Sequence, residues 1–310
     1  MADLITTHAT LARVGIDEFY PVFSKQRRKV YPKVGWRDKS KVLGTQQYMR
    51  VREEGGFSYA TVVNEAAAIP ISSFTAGREK DYYWAKRGLG YRASFEKLET
   101  DQYGIVQEVS RKMAVAMEKT KESTAFNIFN NHTSTATAYN GRDGVALVST
   151  AHPYDGGTWS NRGTGASNTD VDLSITALED AMAKLLDTVD EKGIPAEKVG
   201  PFKLLIPNEL WALGQRLAKA LKLPQSNDND PNVAGSLISE IVVSPWLTDA
   251  DAWWLIEADP MEHGLFQMKH GSRRVQKKLY EETEEYAFFL TEKWLFHHLD
   301  ARGVWGTAGA

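Results

Sequence analysis

The residues best spaced for chemistry lie in five places. His297-His298-x-Asp300 gathers two imidazoles and a carboxylate within four positions, the raw material of a metal site. On a strand, however, neighbouring side chains point to opposite faces, so one ion does not easily reach both histidines. Asp228-x-Asp230-x-Asn232 opens like a calcium loop, but position six is Val233 and position twelve is Ser239. Those changes remove the sharp turn and the bidentate ligand, which leaves a polar surface loop as the better reading. Glu281, Glu282, Glu284 and Glu285 could supply a carboxylate pair for hydrolysis, but a solvated charged face is the better reading, since nothing marks one pair as acid and base. His152 and Asp155 are the remaining hydrolase candidates. Gly163-x-Gly165 begins a dinucleotide fingerprint, but no third glycine follows and the surroundings read as a loop. The phosphate-cradling G-x-x-x-x-G-K-[ST], the G-x-S-x-G elbow and H-E-x-x-H are all missing. No enzyme, cofactor or metal is expected.

Composition narrows the class further. The 310 residues are 42% hydrophobic and 25% charged, values of a folded chain rather than a disordered one. There is no cysteine, so disulfides, thiolate metal sites and cysteine nucleophiles are excluded together. No stretch has the length of uncharged apolar sequence a membrane span needs. The first residues lack a signal-peptide core, being interrupted by Asp3, Arg13 and Asp17, so the cytoplasm is the expected place of synthesis and residence. Charge is uneven. The first 50 residues hold ten Lys/Arg against four Asp/Glu, net +6, so the other 260 carry −9 of the total −3. Lys25, Arg27, Arg28, Lys29, Lys33 and Arg37 form a basic arm interleaved with Tyr20, Phe23, Val30, Tyr31 and Trp36. Such a mixture can bind single-stranded nucleic acid. More commonly its aromatics anchor an arm to a protein surface.

Periodicity places the elements. Residues 47–52 alternate as a strand, Glu53-Glu54-Gly55-Gly56 breaks them, and Phe57, Tyr59 and Thr61 restart period two; a second strand is predicted around Tyr82-Tyr83-Trp84. This long excursion has little apolar sequence of its own, and a lone hairpin is marginal in water. It must therefore lie on something, and Phe57, Tyr59, Phe74, Tyr82 and Trp84 are expected to bury against another chain. From Asp101 to Asn130, Val106, Val109, Met113 and Met117 recur at helical steps, predicting one helix of roughly 45 Å. A polar loop region follows over 131–170. A second helix is expected to open at the capping box Thr176-Ala177-Leu178-Glu179 and to stop near Gly193. Phe202–Ile206 reads as a buried strand, followed by a helix carrying Leu210, Leu213, Leu217 and Leu221. Further strands are expected at 241–243, 252–257 and 264–268, with a charged, aromatic tail over 279–299. No repeat is present, and the mixture without βαβ regularity predicts an α+β fold.

The order of these pieces resembles the major capsid proteins of tailed bacteriophages, and more closely the Mu-like major head subunit family. The resemblance is carried by RVREEGGFSYATVVNEAAAIPISSFTAGREKDYYWAKRGLGYRASFEKLETD, KTKESTAFNIFNN, GVALVSTAHPYDGG, FKLLIPNELWALGQRLAKA and the terminal RGVW. It implies the tailed-phage major-capsid fold. Residues 1–45 would be an N-terminal arm, 46–92 an extended loop overlapping a neighbouring subunit, and 93–150 a peripheral domain with spine helix 101–130. Residues 151–260 would be an axial domain, and 261–310 would return to the peripheral domain.

The function so implied is self-assembly into pentamers and hexamers of an icosahedral shell enclosing double-stranded DNA, made in the host cytoplasm and resident in the virion. Partners would be copies of the chain, portal and scaffolding proteins, a decoration protein, and the packaged DNA through weak electrostatic contact, with no membrane. Because the arm begins close to Met1, scaffold is expected to be a separate protein or the sequence already mature. Some relatives cross-link subunits through Lys and Asn; Lys80 and Lys86 lie on the loop without a signal for that chemistry. Two readings outside this one are an encapsulin-like compartment that loads enzyme cargo and a nucleic-acid-binding module using the basic arm.

Overall fold

A computed structural model of the chain describes residues 29–40, 47–54, 56–57, 59–71, 76–99, 105–164, 170–198, 200–220 and 232–309. The elements run α1 (Tyr31–Val34), β1 (Arg37–Asp38), β2 (Tyr48–Glu54), β3 (Ala76–Tyr83), β4 (Ala85–Ser94), α2 (Phe95–Glu99), α3 (Ile105–Asn130), β5 (His152–Tyr154) and β6 (Gly157–Trp159). They continue α4 (Ile175–Leu186), β7 (Phe202–Ile206), α5 (Trp211–Lys219), α6 (Val233–Ser236), β8 (Ile238–Val243), β9 (Trp253–Glu257), β10 (Leu265–Lys269), β11 (Arg274–Tyr280), β12 (Glu285–His298) and β13 (Val304–Thr307).

The spine helix α3 holds 26 residues without glycine or proline, about 39 Å long. Its buried stripe runs through Met113, Met117, Lys121, Ala125 and Phe129 at four-residue steps, with Phe126 beside it. Charged residues also fall on that stripe, and each finds a partner. Lys121 Nζ lies 3.1 Å from Glu118 and 2.6 Å from Glu292 on β12. The Glu122 carboxylate accepts from the Val30 and Tyr31 amides, both at 2.9 Å.

Two sheets flank this helix. The first is built on the 14-residue β12, which pairs with β10 and β11 along one edge and β4 along the other. The second has the order β13-β9-β7-β8. Its one face meets α3, with Phe129 edge-on to Trp254 at 5.5 Å, and its other face packs Leu204, Ile206, Trp253 and Trp305 on α4 and α5. Coverage on both sides explains why β9, WWLIE, is buried at every residue. Among the described residues no helix is long and apolar enough to cross a membrane.

Local readings shift in four places. Residues 59–71 form no strand, so the period-two pattern of Phe57, Tyr59 and Thr61 does not make one: nothing among the described residues pairs with it. Helix α4 is capped by Ser174, whose hydroxyl accepts from Ala177 N at 3.2 Å, two residues before the expected box. It ends at Leu186 rather than near Gly193, because Val189 turns back to bridge with Pro195. Finally, β13 joins β9 in the second sheet, so the C-terminal return serves both sheets. The expected helix start at Asp101 lies outside the described residues.

Candidate inter-subunit surface

The excursion over 48–94 is a finger. Strands β2 and β3 pair antiparallel from Tyr48↔Tyr83 to Glu54↔Ala76, and Trp84 hands the chain directly to β4. Alternation, interrupted by a register shift between Arg52 and Glu54, divides the ribbon into two faces. Met49, Val51, Glu53, Arg78, Lys80 and Tyr82 turn to the body, while Tyr48, Arg50, Glu79, Asp81 and Tyr83 turn away. On the outer face Arg50 grips Asp81 through two bonds of 2.7 and 2.8 Å.

The inner face is clamped to the body along its length. Tyr82 is 2% exposed within its own chain, packs with Met49, Phe266 and Met268, and donates to the His298 carbonyl oxygen at 3.0 Å. It does not await a neighbour. The expectation erred by one residue, which on a strand reverses the face; Tyr83 is the exposed partner, at 62%. Trp84 is likewise half-buried, its ring 4.2 Å from His270. Lys80 donates to the carbonyl oxygens of Thr137 and Asn140 and, at 2.5 Å, to Asn140 Oδ1. Burial pulls its ammonium down to about 8, the Asp143 carboxylate pulling the other way. The loop lysine is thus taken up by its own chain. Glu53 meets Arg142 at 3.1 Å; Arg142 also reaches Glu191 and Asp300, and Arg302 holds the same two acids from the other side.

Beyond this clamp the described residues of the finger form no core. Val62 is 96% exposed and Ile71 95%, and Phe57, Tyr59 and Ile69 are also open to solvent. Large apolar side chains exposed together in one short segment point to an interaction site. Phe74 lies outside the described residues.

The basic arm behaves differently along its length. Lys25, Arg27 and Arg28, with Tyr20 and Phe23, lie outside the described residues. Lys29 pairs with Glu118 at 2.8 Å and Lys33 with Glu240 at 2.8 Å, so these charges are met by the acidic body. Tyr31 and Trp36 bury their rings edge-on against Phe296, at 5.4 and 5.1 Å. Arg37 opens β1, which pairs with β10.

The chemistry-bearing residues are structural where they are described. His297 Nδ1 accepts from the His298 backbone amide at 2.8 Å, leaving Nε2 to donate to the Ala138 carbonyl oxygen at 3.1 Å. Burial and nearby Lys80 hold its pKa near 4, and the buried His298 is also shifted well down. Asn232 caps α6, accepting from Gly235 N at 2.8 Å; the rest of that motif lies outside the described residues. His152 is held between Asp143 at 2.7 Å and Asn161 at 3.0 Å. Asp155 is an exposed partner of Lys192. Among the described residues no three His, Asp or Glu side chains converge as a metal-ligand set.

Two residues went unnoticed in the sequence. Asn161 is buried and donates to the carbonyl oxygens of Leu147 and Val304, both at 2.8 Å, while accepting from Ser149 N. Arg142 ties finger to body. Both act across long separations, which no local pattern reveals.

Comparison with known proteins agrees with this architecture. No curated protein matches the sequence significantly. Among solved structures, the capsid of a native GTA particle superposes with a TM-score of 0.59 at 11% identity, covering 92% of both chains. The bacteriophage JBD30 capsid gives 0.56 at 12% identity, over 72% of this chain and 92% of that one. The mature capsid of bacteriophage PhiM1 gives 0.54 at 10% identity, over 91% and 87%. At such identities the likeness speaks for the fold, that of tailed-phage capsid proteins. The family model described as phage capsid protein matches residues 78–307, from the middle of the finger through the last strand, and this chain belongs to that family.

Proposed function

We propose that the chain is the major head protein of a tailed phage, of the Mu-like kind, assembling with its own copies into pentamers and hexamers of an icosahedral shell around double-stranded DNA. The observation that carries this reading is the finger: a ribbon clamped at its root to its own body and tipped with apolar side chains that its own body leaves bare. Fully burying Phe57, Tyr59, Val62, Ile69 and Ile71 would contribute roughly 1.5–3 kcal/mol each, before the entropy of association is subtracted. That is enough for a weak contact repeated around a ring and too little for a tight isolated dimer. A finger reaching onto the next copy makes a heterologous contact, which closes into rings. Portal, scaffolding and decoration proteins would meet the finished or growing shell, and assembly would take place in the host cytoplasm.

Negative-stain electron microscopy of the purified full-length protein tests the reading. Rings or closed particles are expected. A monodisperse monomer at tens of micromolar, or particles filled with one co-purified enzyme instead of DNA, would overturn it.

A further inference from the structure

Strand register decides which side chains share a face of the first sheet. On β12, Phe288, Leu290 and Trp294 turn inward to the core, so Glu285, Ala287, Phe289, Thr291 and Lys293 turn to the opposite face. The partners of these residues share that face. Lys86 stands across from Lys293, Arg274 across from Thr291, and both Arg92 and Lys278 across from Ala287. All five cations are exposed. The strand face offers them one carboxylate, Glu285, 3.7 Å from Arg92.

Lys86 and Lys293 are directly opposed like charges, a cross-strand arrangement that destabilises a sheet unless an anion intervenes. Among the described residues neither forms an ion pair, and nor does Arg274. The three line a recess of about 320 Å³ with His270, Ser272 and Thr291. Glu292 reaches its edge but is held by Lys121 at 2.6 Å on the core side.

The recess alone would suit one oxyanion. The cations extend further, since Lys86 and Arg92 are six residues apart on one strand, about 20 Å. Each strand of duplex DNA presents a phosphate about every 3.4 Å of axis, so this row meets several in succession. By contrast, Lys29 and Lys33 of the arm are already paired with Glu118 and Glu240. We propose that the outer face of the β4–β12–β11 sheet binds the phosphate backbone of duplex DNA without regard to sequence, with the Lys86–Arg274–Lys293 recess as its centre. The assignment rests on the shell reading only for the polyanion at hand.

The test is fluorescence anisotropy of a mixed-sequence 30-bp duplex with dispersed full-length subunits between 50 and 200 mM salt. The triple variant Lys86→Gln, Arg274→Gln, Lys293→Gln is expected to bind at least tenfold more weakly at 50 mM and to lower the log–log salt slope by about 2–3, near 0.9 per phosphate contact. The control Arg50→Gln, Arg111→Gln, Lys112→Gln makes the same change in net charge and should move both far less. Equal effects of the two triples, or an unchanged slope, would overturn the site. So would saturable binding of inorganic phosphate without binding of duplex. Loss of shells by electron microscopy with DNA binding retained would also overturn it, marking the face as a contact between copies. Shells that still form from the first triple while its DNA binding falls support the site and leave the shell reading intact; failure of the unmodified chain to form shells would count against that reading alone.

Discussion

The Tyr82 hydroxyl lies 3.0 Å from the carbonyl oxygen of His298, joining residues 216 apart in sequence. One belongs to the finger and the other ends the longest strand. The direction in which the finger leaves the body is therefore fixed within the subunit. Only the part beyond the clamp is left for a neighbour, which separates two kinds of substitution: those that loosen the root and those that disable the tip.

Root substitutions should act on the subunit itself. Tyr82→Phe keeps the packed ring and removes one buried hydrogen bond, so a loss of about 1 kcal/mol is expected in urea unfolding of dispersed subunits. Tyr82→Ala also removes the ring packed on Phe266 and Met268 and should cost about 3–5 kcal/mol. Equal losses from the two variants would mean that ring burial is not what holds the root.

Asn161 should prove as sensitive as a core aromatic. Its amide satisfies the Leu147 and Val304 carbonyls and the Ser149 amide, and orients His152. Asn161→Ala strands several buried polar groups, each worth about 1–3 kcal/mol. A total loss of about 3 kcal/mol or more is expected in the same assay. Asn161→Asp retains the acceptor but not the donors and should recover only part of it.

Much of this was legible from the chain. Phe202–Ile206 stood out as a strand because an element covered on both faces is apolar throughout. The spine helix followed from Val106, Val109, Met113 and Met117 recurring at helical steps. Legibility failed where the answer depended on contact with something distant. The alternation in β3 showed that Tyr82 and Tyr83 point apart, but not which side lies on the body. Ser174 outcompeted Thr176 as a cap because residues before α4 belong to a loop fixed elsewhere, where Val171 N bonds Thr307. Asn161 and Arg142 look like ordinary loop residues until the last strand returns beside them.

Acid should weaken the subunit through its buried histidines. His297 titrates near 4 in the folded chain, and burial holds His298 well below its ordinary 6.5. Above pH 6.5 neither state is protonated there and the stability is fully present. As pH falls from 6.5 towards 4, the unfolded chain takes up protons that the folded chain refuses, and stability falls by up to about 1.4 kcal/mol per pH unit for each histidine. Both ring nitrogens of His298 lack a hydrogen-bond partner among the described residues. His298→Leu should therefore be no less stable at pH 7.5 and should lose less on acidification, by about one proton between pH 6 and 4.5. Carboxylates titrate alike in both proteins, so parallel stability profiles would refute the role given to His298.

Tip substitutions should leave the subunit sound and stop assembly. Residues 59–71 have no strand partner among the described residues, whereas β2 and β3 below them carry Met49 and Tyr82 into a buried cluster. A deletion reaching into β3 would damage that cluster and confuse the two effects. Replacing 56–71 with a short glycine–serine link spares it, and the unfolding midpoint is expected to stay close to that of the unmodified chain. The milder Phe57→Ser, Tyr59→Ser, Ile71→Ser removes much of the apolar surface at the tip while keeping its length. Both variants should sediment as small soluble species under conditions where the unmodified chain forms shells, the triple recovering partly at high protein concentration because its contact is weakened rather than erased. Normal shells from the deletion would show that the finger does not join copies, whatever its exposed side chains suggest.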